Sequence, residues 1–125
     1  SSLFDMMRFI AEKKCDMIIT TDHGSTYVKN PVKILGDREV NTNLRYKYGK
    51  NLKYNPKEVF EVRDPEKIFL PRVNLSTAYV FAGDNDFFAY PNNYNYYVNY
   101  YRNTFQHGGI SMNEMLIPVT YLKAK

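Results

Sequence analysis

The run Met17-Ile18-Ile19-Thr20-Thr21-Asp22-His23-Gly24 decides how this chain is read. Its apolar and β-branched residues make a strand, and an acid, an imidazole and a glycine follow at the strand's carboxyl end. Open α/β sheets hold their ligands in such loops. Asp and His suit zinc or manganese, and glycine lets backbone and substrate approach closely. The only other histidine also precedes glycine, in His107-Gly108-Gly109. Taken singly, each motif has a plainer explanation: Asp22 bonding the backbone of a turn, and Gly108-Gly109 forming one. Together they use every histidine in the chain, and the expectation is that both face one metal site.

The flanking sequence carries an α/β pattern. Before the strand, Leu3, Phe4, Met7, Ile10 and Ala11 recur on one helical face, with Ser2 and Asp5 at capping-box spacing. Lys13 and Lys14 follow, where cations complement the helix dipole. Between Ser25 and Pro56 the pattern weakens. Tyr27-Val28, Val32–Ile34 and Leu44–Tyr48 read as short strands, with turns at Gly36-Asp37 and Gly49–Asn51, and the stretch is expected to be a basic surface excursion. Val59–Val62 is a further strand. Asp64-Pro65 starts a short helix that Pro71 ends. Thr77–Ala82 and Phe87–Tyr90 flank Gly83–Asp86 as a β-hairpin. Residues 94–105 fit a helical stripe (Tyr94, Tyr97, Val98, Tyr101, Phe105) or a strand (Tyr94, Tyr96, Val98, Tyr100), the helix being favoured. Ser111 and Glu114 form a second capping box, Pro118 closes its helix, and Val119–Leu122 adds a last strand.

Composition sets the outer bounds. The 125 residues, 44% hydrophobic, suffice for one domain or a piece of one. No stretch reaches the ~18 apolar residues of a membrane span, and no basic segment leads into an apolar one as in a secretory leader. Opening on Ser1-Ser2 rather than Met points to a piece of a longer protein. One cysteine, Cys15, rules out an internal disulfide framework and fits a reducing cytoplasm. The net charge of +4 arises mostly between Lys29 and Lys57, a balance suited to a phosphate-bearing ligand but ordinary in itself. Twelve tyrosines, half of them between Tyr90 and Tyr101, are expected to pack a core or an interface, with base stacking as the competing role. Asp84 and Asp86 could add carboxylates to a metal site, although a turn explains them better.

Two motifs then carry a resemblance. Ile19–Ser25 resembles the (S/T)DHG strand end of the alkaline phosphatase superfamily, and Phe105–Val119 is similar to its C-terminal HGGxSxxExxxPv block. Asn43–Leu52 resembles the PglZ branch, nearest the PglZ domain of PorX-type response regulators of Bacteroidetes, which are linked to type IX secretion. The likeness spans nearly the whole chain but only the C-terminal part of that domain. It implies a three-layer α/β sheet domain that hydrolyses phosphoesters with two zinc ions. In it, Asp22 and His23 would bind one ion and His107 the other. The Thr or Ser nucleophile, an Asp, and an Asp-x-x-x-His pair would all precede Ser1. It further implies an upstream receiver domain and a cytoplasmic location. This chain alone, with half the ligands, is then expected to be inactive.

Arg38, Arg45, Lys47 and Lys50 are either a solvated face or a rim that steers phosphate, with Arg38 and Arg45 as the substrate-binding candidates. Two other readings stand beside the enzyme: a module that binds nucleotide or single-stranded nucleic acid, and a structural piece that dimerises through Tyr94–Tyr101.

Overall fold

A computed structural model describes residues 1–36 and 41–124. Helix α1 (Ser2–Glu12) is capped by Ser1, one residue ahead of the expected Ser2, and Lys14 ends it in a left-handed conformation. Strand β1 (Met17–Thr20) follows as its apolar run predicts. The next strands are β2 (Thr26–Val28), β3 (Asn30–Lys33), β4 (Tyr46–Gly49) and β5 (Val59–Val62). A 3-10 turn, Pro65–Ile68, precedes β6 (Ala78–Ala82) and β7 (Asp86–Ala89). The tyrosine-rich segment is helix α2 (Tyr94–Tyr101), followed by β8 (Thr104–Gln106), α3 (Met112–Met115) and β9 (Val119–Leu122).

The strands form four small sheets: β1 with β9, β2 with β8, β3 parallel to β7, and β4-β6-β5. Strands β6 and β7 organise the core because each is apolar on both faces. Val80 and Ala82 of β6 meet Val32, Ile34 and Phe88, while Tyr79 and Phe81 turn the other way toward Val62. On β7, Phe88 faces that first cluster, and Phe87 and Ala89 face Val28 and Val98. The expected β6–β7 hairpin does not form: β6 pairs with β4 and β5, and β7 with β3. Double-faced burial explains this, since a hairpin in a single sheet would give β7 no route to the β2–α2 side.

The stretch from Ser25 to Pro56 is likewise not a surface excursion. Val28, Val32 and Ile34 are core residues, and even Arg45 and Lys47 are fully buried. The opposite correction applies to β1. Although its apolar run suits a buried strand, among the described residues it pairs only with β9 and leaves Ile18 65% exposed. Asp16 fastens that pair, accepting bonds from the Tyr121 hydroxyl and the Ala124 amide (2.9 Å). No described helix is long and apolar enough to cross a membrane.

Candidate metal centre

The β2–β8 register brings the two histidines together. These strands run antiparallel, and their ladder ends with Thr26 opposite Gln106. The segments leading into β2 and out of β8 therefore leave side by side, one carrying His23 and the other His107. Their imidazoles stack with centroids 3.7 Å apart and planes 11° from parallel.

His23 is oriented by its own loop. Its Nδ1 lies 2.8 Å from the Gly24 carbonyl, which can only accept, so Nδ1 is the donor in that contact and Nε2 is the nitrogen turned toward Asp22. That Nε2 is 3.6 Å from Asp22 Oδ1. Two ligands of one tetrahedral zinc, each about 2.1 Å from the ion, stand about 3.4 Å apart. The pair thus has the donor types and spacing of two ligands on one ion. A backbone carbonyl holding the non-ligating nitrogen is the usual support for a metal-bound histidine. The Asp22 side chain is 87% exposed and free to approach a cation. Among the described residues, no three or more His, Cys, Asp or Glu side chains enclose an ion position.

Glycine is required at two of the loop positions by close approach. A Cβ on Gly24 would lie 2.0 Å from the Asn113 carbonyl oxygen, and one on Gly109 would lie 2.6 Å from the Glu114 carboxylate. Gly108 adds a φ of +102°, which side-chain-bearing residues rarely adopt. Asn43 secures the His107 loop: its amide donates to the His107 carbonyl (3.2 Å), and its oxygen accepts from the Arg45 amide (2.7 Å).

Beneath the loops lies a buried ion pair. Arg45 donates from Nε and Nη2 to the two oxygens of Glu114, at 2.9 and 3.0 Å, and both side chains are essentially excluded from solvent. Arg45 Nη1 also reaches the carbonyls of Gly83 (2.7 Å) and Asp86. Glu114 further accepts from Gly109 N (2.9 Å), Ser111 N (3.2 Å) and Ser111 Oγ (2.6 Å), completing the expected capping box. Burial alone would raise the Glu114 pKa. The bonds from Arg45, Ser111 and Gly109 outweigh it and hold the carboxyl below the ordinary glutamate value.

Asp22, His23 and His107 therefore come together, but Arg45 does not form a charged rim. It is a structural cation, buried and bonded to Glu114 and to the carbonyls of Gly83 and Asp86, with no exposed surface from which to steer a substrate. Arg38 lies outside the described residues. Asp84 and Asp86 stay in the turn and at the start of β7, where Asp86 accepts from Asn30 (3.1 Å). Asn43, Arg45 and Glu114 were missed as supports of the site. Only Glu114 had a sequence signal, its spacing from Ser111. Next to Gly108 opens a groove of about 740 Å³, walled by Tyr46, Tyr48, Tyr79, Phe81 and Leu70.

A family model described as the BREX system PglZ alkaline phosphatase-like domain matches residues 1–122. No curated protein matches the chain.

Proposed function

The chain belongs to the PglZ family of alkaline phosphatase-like domains, and we propose that it is the C-terminal part of a zinc-dependent phosphodiesterase or phosphatase domain. The observation that carries this reading is the 3.7 Å stacking of the chain's only two histidines beside Asp22. Asp22 and His23 would hold one ion and His107 a second. Bound divalent ions supply Lewis-acid stabilisation to the entering and leaving oxygens of a phosphoester. The chain's own residues fix the donors: the Gly24 carbonyl orients the His23 ring, and Asn43 and Glu114 hold the loop after His107.

The remaining ligands and the nucleophile would come from sequence upstream of Ser1, completing a three-layer sheet. Exposed apolar surface supports this. Helix α1 buries none of its residues and presents Phe4 and Phe9, and Ile18, Val119 and Tyr121 stand exposed on β1 and β9. A face of this kind marks a surface made to be covered. The resemblance to PorX-type response regulators supports a receiver domain further upstream and a cytoplasmic setting.

The test is to express the domain extended upstream and assay it with zinc on a chromogenic phosphodiester. Turnover should depend on His23 and His107 and be absent from residues 1–125 alone. Equal turnover by the short chain would overturn the division of the site. One observation favours a binding module instead: the groove of about 740 Å³ at Gly108, walled by aromatic rings that could stack on a planar ligand without chemistry. In that case His23→Ala and His107→Ala would leave ligand affinity unchanged.

A further inference from the structure

The two histidine motifs are 84 residues apart in sequence, as the difference between 23 and 107 gives. Yet one residue bonds the loop of each. The Gly24 amide donates to the main-chain carbonyl of Glu114 (2.9 Å), and the Gly109 amide donates to the carboxylate of the same residue (2.9 Å). Both glycines also lack room for a Cβ against this helix: Gly24 against the Asn113 carbonyl, and Gly109 against the carboxylate itself. We infer that Glu114 is the positioning residue that fixes the His23 loop against the His107 loop, and so sets the separation of the two imidazoles.

A capping box alone does not account for this arrangement. Capping a helix as short as Met112–Met115 needs only the bonds to Ser111 and works well in solvent. Here the carboxylate is buried, and Arg45, the residue just before β4, meets it with a two-bond fork. Such a fork fixes direction as well as distance. Arg45 is anchored in turn by the carbonyls of Gly83 and Asp86, ahead of and at the start of β7. The carboxylate is thereby referenced to the core strands β4 and β7, and passes that reference to both loops. The geometric part of this inference is independent of any metal. Its consequence for metal binding rests on the reading proposed above.

Because the chain has two histidines, two sets of imidazole proton resonances report the contact directly. The test follows the inter-ring nuclear Overhauser effect in the zinc-free chain, in wild type and three variants. It should persist in Ser111→Ala, which removes the cap but leaves both glycine bonds. It should be lost in Glu114→Gln, which breaks the charge pairing with Arg45, and in Gly24→Ala, which pushes the His23 loop off the helix from the other side. Loss in Ser111→Ala, or persistence in both Glu114→Gln and Gly24→Ala, would overturn the inference. Hydrogen exchange of the wild-type protein gives a check that needs no variant to fold. If one residue holds both loops, the Gly24 and Gly109 amides open together, with protection within about ten-fold of each other. Widely different protection would contradict it. Titrating zinc into the same variants of the domain extended upstream, which would carry the remaining ligands, separates the two claims. Disruption of a residue supporting metal ligands should cost about 10–100-fold in zinc affinity. If zinc leaves the imidazole resonances of that extended domain unmoved, the metal reading fails, while the positioning inference is still decided by the zinc-free contact.

Discussion

Lys47 sits fully buried with its ammonium donating to the Asn41 carbonyl (2.7 Å) and lying 4.7 Å from the Tyr90 ring centroid. Burial lowers its pKa to about 8. The unfolded chain, with lysine near 10.5, therefore binds more protons between about pH 8 and 10.5, and stability rises with pH across that window. Lys47→Met should be more stable than wild type by about 2 kcal/mol at pH 7, after allowance for solvent screening, with the gap closing toward pH 10.5. Urea unfolding at several pH values checks this; a pH-independent gap would contradict a desolvated amine. Glu114 works in the other direction. Its carboxyl is held below the ordinary value, so the stability it contributes is present above that range and is lost as pH falls through the folded-state pKa. Arg45→Ala strands this carboxylate and should cost about 3–5 kcal/mol, whereas the double change Arg45→Met/Glu114→Gln should cost clearly less. Both basic residues were misread from sequence for one physical reason. A charge normally belongs in water, and the distant partners that bury these two, Glu114 and Tyr90, cannot be inferred from neighbours along the chain.

Among the strands and helices, those built on local patterns were legible and those defined by remote pairing were not. The run Met17–Thr20, the helical stripe from Tyr94 to Tyr101, and the Ser111–Glu114 cap appear where the periodicities put them, whereas Phe105, the last residue of that stripe, lies in β8. Strands β6 and β7 were each visible as apolar runs, but their partners were mistaken. The turn at Gly83–Asp86 reads like a hairpin, and nothing local reveals that β7 pairs in parallel with β3. Helix α2 divides its tyrosines: Tyr94 and Tyr101 pack on the Val28–Phe87–Val98 cluster, while Tyr96 and Tyr100 stack on each other in solvent. Phe87→Ala, at the centre of that cluster, should destabilise by about 3–5 kcal/mol. Phe69→Ala, at a residue 98% exposed, should stay within about 0.5 kcal/mol in the same denaturation experiment. Equal losses at the two positions would mean that β7 is not the pivot of the core.

Taken together, the molecule is a well-packed set of small sheets around β6 and β7 with one apolar side left open. Its exposed apolar residues include Phe4 and Phe9 on α1, Ile18 on β1, Val119 and Tyr121 on β9, and Met112, Met115 and Leu116. On the proposed reading, adding upstream sequence that covers these residues should slow amide exchange in α1 and β1 more than in β7, which is already buried; a uniform change would argue against a covered face. The convergence of the histidines was expected from sequence because DHG and HGG are the only places imidazole occurs. The scaffold that delivers it was hidden, because Asn43, Arg45 and Glu114 are joined by contacts across the fold. The account stands most directly on metal content. Purified domain extended upstream of Ser1 should carry about two zinc ions per chain, and His107→Ala should lose one while remaining folded. Wild-type and His107→Ala proteins with the same zinc content, or a wild-type domain that takes up none, would contradict it.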